Sequence, residues 1–186
     1  MRGDHPALAI RAAVRADAAA IAAVYAPYVT ETSVSFETVP PSAGDMWLRM
    51  SAEPRLPWLV ATVDGAVAGY SYAAPHRARP AYRWSVDVSF YVGRPLHGRG
   101  IGTALGEELL ARLRVLGYVA AFAGIALPNP ASIALHERLG FTPVGVYRSV
   151  GFKRGAWHDV GWWQRLLREP PQDPAEPAHW MPPVEE

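Results

Sequence analysis

Two adjoining stretches decide the fold: Val86-Asp-Val-Ser-Phe-Tyr-Val92 and, after three intervening residues, Leu96-His-Gly-Arg-Gly-Ile-Gly102. Apolar side chains occupy every second position of the first stretch, a period that predicts a β-strand. The second stretch is rich in glycine and leads into residues 101–116, where leucines recur at helical spacing before Gly117. A long amphipathic helix is expected there. The chain is therefore organised around a strand that runs through a glycine-rich loop into a helix.

The glycine-rich loop has the properties of an anion site. Gly98, Gly100 and Gly102 carry no Cβ atom, so the backbone can turn tightly and approach a ligand closely. The helix that follows presents free N–H groups and a partial positive charge at its first turn. Arg99 adds a charge-assisted donor. Together these features predict a site for a diphosphate group.

The loop alone leaves several interpretations open. A glycine-rich turn before a helix is common, and the pattern does not separate a phosphate site from a plain turn. Two nucleotide-binding motifs fit poorly. The Walker lysine is absent, because Thr103 and Ala104 follow the last glycine. The dinucleotide fingerprint normally opens its fold, whereas this loop lies in mid-chain.

Strand and helix signals alternate along the rest of the body. Hydrophobic periods predict strands near Ile10 and over Trp58–Val63, Val67–Ala73, Val119–Leu127, Val144–Phe152 and Trp157–Leu166. Helices are predicted after Asp17 and Ser42 and from about Pro130 to Leu139. Asp64-Gly65 has the composition of a hairpin turn. This order favours a single α/β or α+β layer structure.

The domain organisation follows from length and composition. A chain of 186 residues fits one domain. We expect a single folded domain over residues 8–167, preceded by a disordered N-terminus at 1–7. Residues 168–186 hold six prolines among acidic residues and alanines, a composition that cannot build a core. We therefore expect a disordered tail.

The bulk composition argues against several classes of function. A net charge of +1 gives no field for nucleic acid or a membrane, and no run approaches the ~20 apolar residues of a membrane span. There is no cysteine for a disulfide, a thiolate metal site or a nucleophile. The histidines show no metal-ligand spacing, and the first residues do not resemble a signal peptide. We expect a cytoplasmic protein that uses no metal and acts on a small molecule.

Further residues give the loop a family context. Asn129, Ser132, His136 and Leu139-Gly140-Phe141 follow it downstream. With a loop of the form Q/R-x-x-G-x-G/A between strand and helix, the chain resembles the GCN5-related N-acetyltransferase (GNAT) superfamily over nearly its whole body. Five segments, in order and at compatible spacing, resemble the phosphinothricin N-acetyltransferase branch: Pro57–Ala61, Tyr91–Val92, Leu127–Asn129, Leu135–Glu137 and Trp157–Gly161.

The resemblance implies a fold and a coenzyme. The fold would be the acyl-CoA N-acyltransferase (GNAT) fold, a mixed, mostly antiparallel sheet of six or seven strands flanked by helices. Acetyl-CoA would be the co-substrate, with its pantetheine arm paired like an added strand. A homodimer is also expected, as is usual in this branch. The implied coenzyme-binding residues are Ser89, Phe90, Tyr91 and Val92 on the strand, His97, Gly98, Arg99, Gly100, Ile101, Gly102 and Thr103 in the loop and helix start, and Asn129 and His136 downstream.

Two positions depart from the family pattern. His97 stands where the loop normally has Gln or Arg, although a histidine can still donate to a phosphate oxygen. Asp87 stands where the family has a glutamate as candidate general base. Aspartate withdraws the carboxylate by one methylene, about 1.5 Å, so a relay through water is favoured over direct contact with the amine.

Asp87 and His136 are the predicted catalytic residues. An ammonium must lose a proton before it attacks a thioester, and Asp87 lies on the strand that would face the acetyl group. His136 would protonate the leaving thiolate or contact the coenzyme, as the resemblance implies. From the residues alone, Asp87 could instead pair with Arg79 or Arg83, and His136 could be a packed helix side chain. Asn129 could be only a turn former or helix cap.

The predicted substrate residues lie in a basic loop, at residues 75–83, and on elements beside it. Guanidinium groups suit a carboxylate, phosphinate or sulfoximine head, and aromatic side chains could line the pocket. The basic loop could also be only a solvated surface. Lys153 or Arg154 could equally anchor the carboxylate. The predicted substrate-binding residues are Phe36, Arg77, Arg79, Tyr82 and Trp157.

The resulting prediction is an N-acetyltransferase that moves acetyl from acetyl-CoA to the amino group of a small amino-acid analogue. The analogue would be of the phosphinothricin or methionine sulfoximine type, and its acetylation would confer herbicide or antibiotic resistance. A broader amino-acid or amine acetyltransferase stays open, because pocket shape decides specificity. A non-catalytic acetyl-CoA sensor stays open as well, because the family glutamate is an aspartate here.

Overall fold

The computed structural model describes residues 7–181, and its helices and strands follow the predicted order. Residues 1–6, which were predicted to be disordered, lie outside the described residues, as do 182–186 of the predicted tail. The strands are β1 Leu8–Ala12, β2 Trp58–Val63, β3 Ala66–Pro75, β4 Ser85–Val92, β5 Ala120–Ala126, β6 Thr142–Lys153 and β7 Ala156–Leu166. The helices are α1 Ala18–Glu31, α2 Ala43–Met50, α3 Ile101–Val115 and α4 Pro130–Arg138, with short single turns between some elements.

The seven strands form one mixed sheet in the order β1-β2-β3-β4-β5-β7-β6. Every neighbouring pair is antiparallel except β4 and β5, which run parallel. The predicted hairpin turn is confirmed, since Val63 pairs with Ala66 and both Asp64 and Gly65 have positive φ. The predicted fold class, a mostly antiparallel sheet with helices on both faces, is confirmed.

The parallel pair opens partway along its length. Only three rows pair β4 with β5, and the last of them joins Asp87 to Phe122. Strand β4 continues through residues 88–92 without a partner on that side among the described strands. A free strand edge of this kind can accept an extended ligand as an added strand.

The alternation along β4 separates two cores. Val86 and Val88 are buried with Leu105 and Leu109 of α3, on what we call the α3 face of the sheet. Tyr91 packs on the opposite side with Tyr25 of α1, on what we call the α1 face. Because side chains on a strand point to alternate sides, Asp87 and Ser89 share the α1 face with Tyr91.

Close packing and capping explain the helix positions. A Cβ atom added to Gly106 of α3 would lie 2.3 Å from Cδ1 of Leu139, so this glycine lets α3 and the end of α4 approach each other.

Ser42 caps α2 by accepting a hydrogen bond from the Asp45 amide at 3.1 Å, and the Asp45 carboxylate accepts from the Ser42 amide at 2.9 Å.

The proline-rich segment at 168–181 contains no helix or strand, yet it contacts the body. The indole of Trp84 donates to the carbonyl of Ala175 at 2.8 Å, and the amide of Ala178 donates to Leu116 at 2.7 Å. The guanidinium of Arg112 lies 5.1 Å from the ring of Trp180. Irregular backbone in this segment therefore coexists with specific contacts, and the division into a body at 8–167 and a disordered tail stays a prediction.

No helix within residues 7–181 is long and apolar enough to cross a membrane. The same part of the chain contains no cluster of three or more acidic, histidine or cysteine side chains that could hold a metal ion.

Candidate active site

The glycine loop between β4 and α3 has left-handed backbone at two positions. Gly98 and Gly100 have φ values of 77° and 79°, which glycine adopts without strain. A Cβ atom at either position would meet nothing within 4 Å, so backbone conformation rather than lack of space requires glycine there. Gly102 differs, because its Cβ atom would lie 3.2 Å from Leu135 of α4. The loop therefore has open space next to Gly98 and Gly100, whereas at Gly102 it packs closely against α4.

The start of α3 provides backbone donors. Its first intrahelical hydrogen bond runs from the amide of Ala104 to the carbonyl of Gly100. The amides of residues 101–103 precede it and have no carbonyl one helical turn back, and they lie at the positive end of the helix dipole. Ile101 is buried, Thr103 is half-buried, and Arg99 is exposed at the turn. This geometry suits a diphosphate.

The His97 ring contacts the end of β4. Its Nε2 lies 3.0 Å from the carbonyl oxygen of Val92 and 2.9 Å from the hydroxyl of Tyr28. The Tyr28 hydroxyl itself donates to the same carbonyl at 2.6 Å. Two side chains therefore converge on one carbonyl, and they fix the start of the loop against α1.

The free edge of β4 is stiffened by the side chains on both of its faces. Tyr91 packs edge-on against Tyr25 at 4.8 Å and against Tyr28 at 5.1 Å between ring centroids. Phe90 points to the α3 face, where its ring centroid is 5.2 Å from that of His136. A ligand along this edge would therefore contact Tyr91 only through its backbone. It could contact Phe90 through the backbone or through the ring.

Asp87 pairs with a histidine that the sequence did not single out. The Oδ1 atom of Asp87 lies 2.6 Å from Nδ1 of His76, which follows the end of β3. Burial raises the pKa of Asp87, against the hydrogen bond from His76 and the positive charge of Arg77, which lower it. The carboxylate is therefore held in a partly desolvated site and engaged by an imidazole, and the alternative pairing with Arg79 or Arg83 is not what the structure shows.

Aromatic and basic side chains surround this pair. The His76 ring stacks on Phe122 with centroids 4.2 Å apart, and Tyr82 approaches its edge at 5.9 Å. The guanidinium of Arg77 lies 5.5 Å from the ring of Trp162. The structure therefore brings three sequence-predicted residues, Asp87, Arg77 and Tyr82, to one place. Arg79 is exposed and begins the short turn at 80–82.

A cavity of about 300 Å³ lies beside the end of β3 on the α1 face. Ala74, which pairs directly with Asp87 in the sheet, lines this cavity together with Trp58 and Tyr72. Arg49 of α2 also lines it and is held by two hydrogen bonds to Glu37, at 2.7 and 2.9 Å. The cavity has an aromatic wall and two charged lining residues of opposite sign, Arg49 and Glu53, and its size suits the side chain of a small substrate.

His136 lies on the α3 face in a different environment. The side chain is buried, and Nδ1 is 2.8 Å from the carbonyl oxygen of Ser132. A carbonyl only accepts, so Nδ1 carries the proton, and burial lowers the pKa of His136 and favours the neutral ring. Nε2 is then a lone-pair acceptor, and it has no hydrogen-bond partner within residues 7–181. A neutral His136 cannot donate a proton from Nε2. The predicted role as an acid would therefore require His136 to take up a proton first.

Asn129 begins α4 as a cap. Its side-chain oxygen accepts a hydrogen bond from the Ser132 amide at 3.1 Å. The helix-cap interpretation of this residue is therefore confirmed, and its contact with a coenzyme stays a prediction.

The remaining predicted substrate residues lie elsewhere. Phe36 packs against Gly151 and lies 6.2 Å from the ring of His158, on the β6–β7 hairpin. Trp157 is 65% exposed beside Phe152. It precedes the β7 residue of the Asp87 row, Gln164, by seven positions, about 23 Å at ~3.3 Å per residue. Trp157 is therefore not beside Asp87 in the same chain.

Lys153 and Arg154 hold the closing hairpin to α1. The ammonium of Lys153 is buried and donates to the carbonyls of Val29 and Ser35, each at 2.6 Å. Arg154 donates to the carbonyl of Thr30 at 3.1 Å. These contacts cap the end of α1, and the alternative of a substrate carboxylate anchored here does not fit.

Sequence reasoning missed four residues of this site: His76, Phe122, Trp162 and Arg49. His76 was considered only for metal-ligand spacing. The signal that could have found it is strand register, because β3 and β4 are predicted as neighbours and the residue after β3 then falls beside the start of β4.

Comparison with known proteins agrees with this geometry. A family model described as the Acetyltransferase (GNAT) family matches residues 21–141, a span that contains β4, the glycine loop, α3 and α4. The match covers more than half of the chain.

Individual relatives extend over nearly the whole length. The chain is similar to phosphinothricin N-acetyltransferase of Streptomyces viridochromogenes, at 41% identity over 172 residues, 91% of this chain and 93% of that protein. It is 34% identical to the L-methionine sulfoximine/L-methionine sulfone acetyltransferase of Salmonella typhimurium over 164 residues, 87% of this chain and 96% of that one. Among solved structures, a phosphinothricin acetyltransferase from Sinorhizobium meliloti in complex with AcCoA superposes with a TM-score of 0.87 at 40% identity, covering 91% and 94% of the two chains.

Proposed function

The chain belongs to the acetyltransferase (GNAT) family of acetyl-CoA-dependent acyltransferases, and from this membership we propose that it acetylates the amino group of a small amino-acid analogue. The relatives named above support an analogue of the phosphinothricin or methionine sulfoximine type. Acetylation would remove the charge of the amino group and so inactivate the analogue, which is a resistance function.

The observation that carries this proposal is the opening between β4 and β5 with the glycine turns at its end. The free edge at residues 88–92 can pair with an extended amide-containing arm, and the space outside Gly98 and Gly100 can receive phosphate oxygens. Because Tyr28 and His97 already occupy the Val92 carbonyl, we propose that pairing with the arm uses Ser89–Tyr91. Bound acetyl-CoA supplies the activated acetyl group.

The side chains beside the opening fit the amine-acetylation step. The amino group must lose a proton before it attacks, and the partly desolvated carboxylate of Asp87 is the basic group on the strand. Its engagement by His76 supports a relayed rather than a direct transfer. A backbone amide of the Phe90–Tyr91 segment would donate to the oxyanion. His136 would accept a hydrogen bond at Nε2 on the coenzyme side.

Arg77 and Tyr82 are the proposed contacts for the acidic head of the substrate. Both lie against the His76–Asp87 pair, and the guanidinium fork matches a carboxylate or phosphinate. The neighbouring cavity, with Trp58, Tyr72 and Arg49 in its wall, would take the remainder of the substrate.

We also propose that the protein is a cytoplasmic homodimer. The β6–β7 hairpin exposes a strip of large apolar side chains, a surface typical of a protein–protein contact. These are Val144, Val146, Tyr147, Val150, Phe152 and Trp157, each between 47% and 65% exposed.

A thiol-release assay with acetyl-CoA tests the proposed function. Phosphinothricin, methionine sulfoximine, methionine sulfone, methionine and simple primary amines would be compared at pH 7.5. The proposal predicts the highest kcat/KM for the first three. Equal turnover of methionine and simple amines would indicate a broader acetyltransferase, and binding of acetyl-CoA without turnover of any amine would indicate a sensor.

A further inference from the structure

The hydrogen bond between His76 and Asp87 fixes the state of the imidazole. A carboxylate only accepts, so the proton of a neutral His76 lies on Nδ1 and points at Oδ1 of Asp87, 2.6 Å away. Nε2 is then a lone pair. Nε2 makes no hydrogen bond to any residue in the described part of the chain, and the side chain keeps 11% of its surface exposed. His76 is therefore built as a proton acceptor that remains accessible.

The position of the ring places this acceptor at the opening. His76 stacks on Phe122, with an angle of 16° between the ring planes. Phe122 is in the last row that pairs β5 with β4, immediately before the two strands separate. Asp87 lies in that same row, on the other strand. The ring of His76 therefore lies near the point where the opening begins.

Two features of the carboxylate favour an intermediary group between it and the amine. Aspartate is one methylene shorter than the glutamate that direct contact would favour, and its Oδ1 is already engaged by His76. A carboxylate behind an imidazole is an arrangement that orients the ring and stabilises its protonated form.

We propose that His76 is the group that takes the proton from the substrate ammonium, and that Asp87 acts behind it as the residue that orients and stabilises the ring. This inference rests on the proposed amine acetylation. In it, the side chain of His76 takes the place of the water molecule that was expected to relay the proton to Asp87.

Acetylation of an ammonium group releases one proton overall. One ammonium proton moves to Nε2 of His76 and from there to solvent, which leaves the free amine. The amine nitrogen forms a bond to the thioester carbon, and the C–S bond breaks as the tetrahedral intermediate collapses. The second proton lost by the nitrogen ends on the departing sulfur. The products are the acetamide, the free thiol and one proton.

The surroundings favour this role. The neighbours on β5 and β7 are uncharged rings, which exclude water from one side of the imidazole and provide no competing base. One cation, Arg77, lies close enough to lower the pKa of Asp87. The titratable or charged groups that face the pair are Arg77, Tyr82 and Tyr72, and the uncharged rings are Phe122 and Trp162.

The first test is His76→Phe, which keeps a ring on Phe122 and removes both nitrogens. We expect kcat to fall about 100-fold, within the range of general-base contributions, with the Kd for acetyl-CoA changed less than about threefold. His179→Phe is the matched control, because His179 lies in the exposed proline-rich segment. It should leave both values unchanged. A His76→Phe enzyme whose kcat stays within about threefold of the wild type overturns the inference.

A second measurement separates proton transfer from shape. In His76→Gly, added imidazole should restore turnover in proportion to its neutral fraction, and the acid limb of kcat against pH should follow the added base. Loss of activity in both variants with neither imidazole rescue nor a changed acid limb assigns His76 a structural role and overturns the inference. Failure of the wild type to acetylate any amine would instead overturn the proposed function, so the two failures are distinguishable.

Discussion

The two faces of β4 each place a histidine beside the opening, and the partners of the two rings differ. On the α1 face, Nδ1 of His76 donates to the carboxylate of Asp87. On the α3 face, Nδ1 of His136 donates to the carbonyl of Ser132, and the ring is buried. A carboxylate stabilises a protonated imidazole, whereas burial beside a neutral carbonyl does not. The α1 face is therefore suited to moving a proton, and the α3 face to holding a neutral acceptor.

The alternation of side chains along β4 explains how one strand faces two different environments. Asp87 faces His76 and Tyr91 packs in the aromatic cluster around α1, whereas the even-numbered residues face the apolar core around α3. Strand alternation alone therefore keeps the His76–Asp87 pair apart from His136, without any extra element.

The largest effect is expected from Asp87→Ala. Asp87 acts through His76, so removing the carboxylate should cost about as much as removing the ring, and we expect kcat/KM at pH 7.5 to fall about 100-fold, or ~2.7 kcal/mol. Steady-state kinetics with the best substrate measures it. Asp173→Ala in the exposed segment is the control. A decrease of less than about tenfold would mean that the α1 face does not supply the base.

Lys153→Met tests whether the contacts that stabilise the α1 face can be weakened without a loss of acetyl-CoA binding. The carbonyls of Val29 and Ser35 lose a charged donor, so the free energy of unfolding should fall by roughly 2 kcal/mol. Urea unfolding measures it. Arg154→Met, whose exposed donor contacts one carbonyl, should change stability by less than about 0.5 kcal/mol. Loss of acetyl-CoA binding by folded Lys153→Met protein would contradict the separation of the two faces.

Gly106→Ala probes the α3 face. The added Cβ atom would lie 2.3 Å from Leu139, so the end of α4 must move, and the variant should lose about 1 kcal/mol of stability and bind acetyl-CoA more weakly. Thermal unfolding and titration calorimetry measure these changes. Gly44→Ala in α2 is the matched control. Its Cβ atom would meet only Ser42 at 3.6 Å, and we expect a gain of up to about 1 kcal/mol.

The smallest effect concerns pH. Burial lowers the pKa of His136, so below the usual histidine value of about 6.5 the unfolded chain binds more protons here than the folded one. This contribution is fully present above that value and is lost as the pH falls. We expect the stability of His136→Phe to decline less than that of the wild type between pH 7 and 5. Parallel curves from urea unfolding at several pH values would show that His136 is not held neutral.

Much of this arrangement could be predicted from local patterns. The period of two in β4, the glycine-rich loop and the leucine stripe of α3 are signals within about thirty residues, and all three elements are present where expected. The same period already implied that Tyr91 and Phe90 point to opposite faces.

The rest depended on contacts between distant segments. His76 meets Asp87 only through the register of β3 on β4, and Lys153 reaches carbonyls more than a hundred positions away. Trp157 was predicted to line the pocket because it lies in a segment, Trp157–Gly161, that resembles the family branch. Its strand instead carries it away from the Asp87 row, which a pattern of residue types cannot reveal.

The order of the sheet has a consequence for biosynthesis. Strand β7 lies between β5 and β6, although β6 precedes it in the chain. While the polypeptide leaves the ribosome, β6 therefore has no neighbour to join until β7 has emerged as well. Until then β5 also lacks its antiparallel neighbour, so we expect a translation product that ends before β7 to expose two unpaired strands.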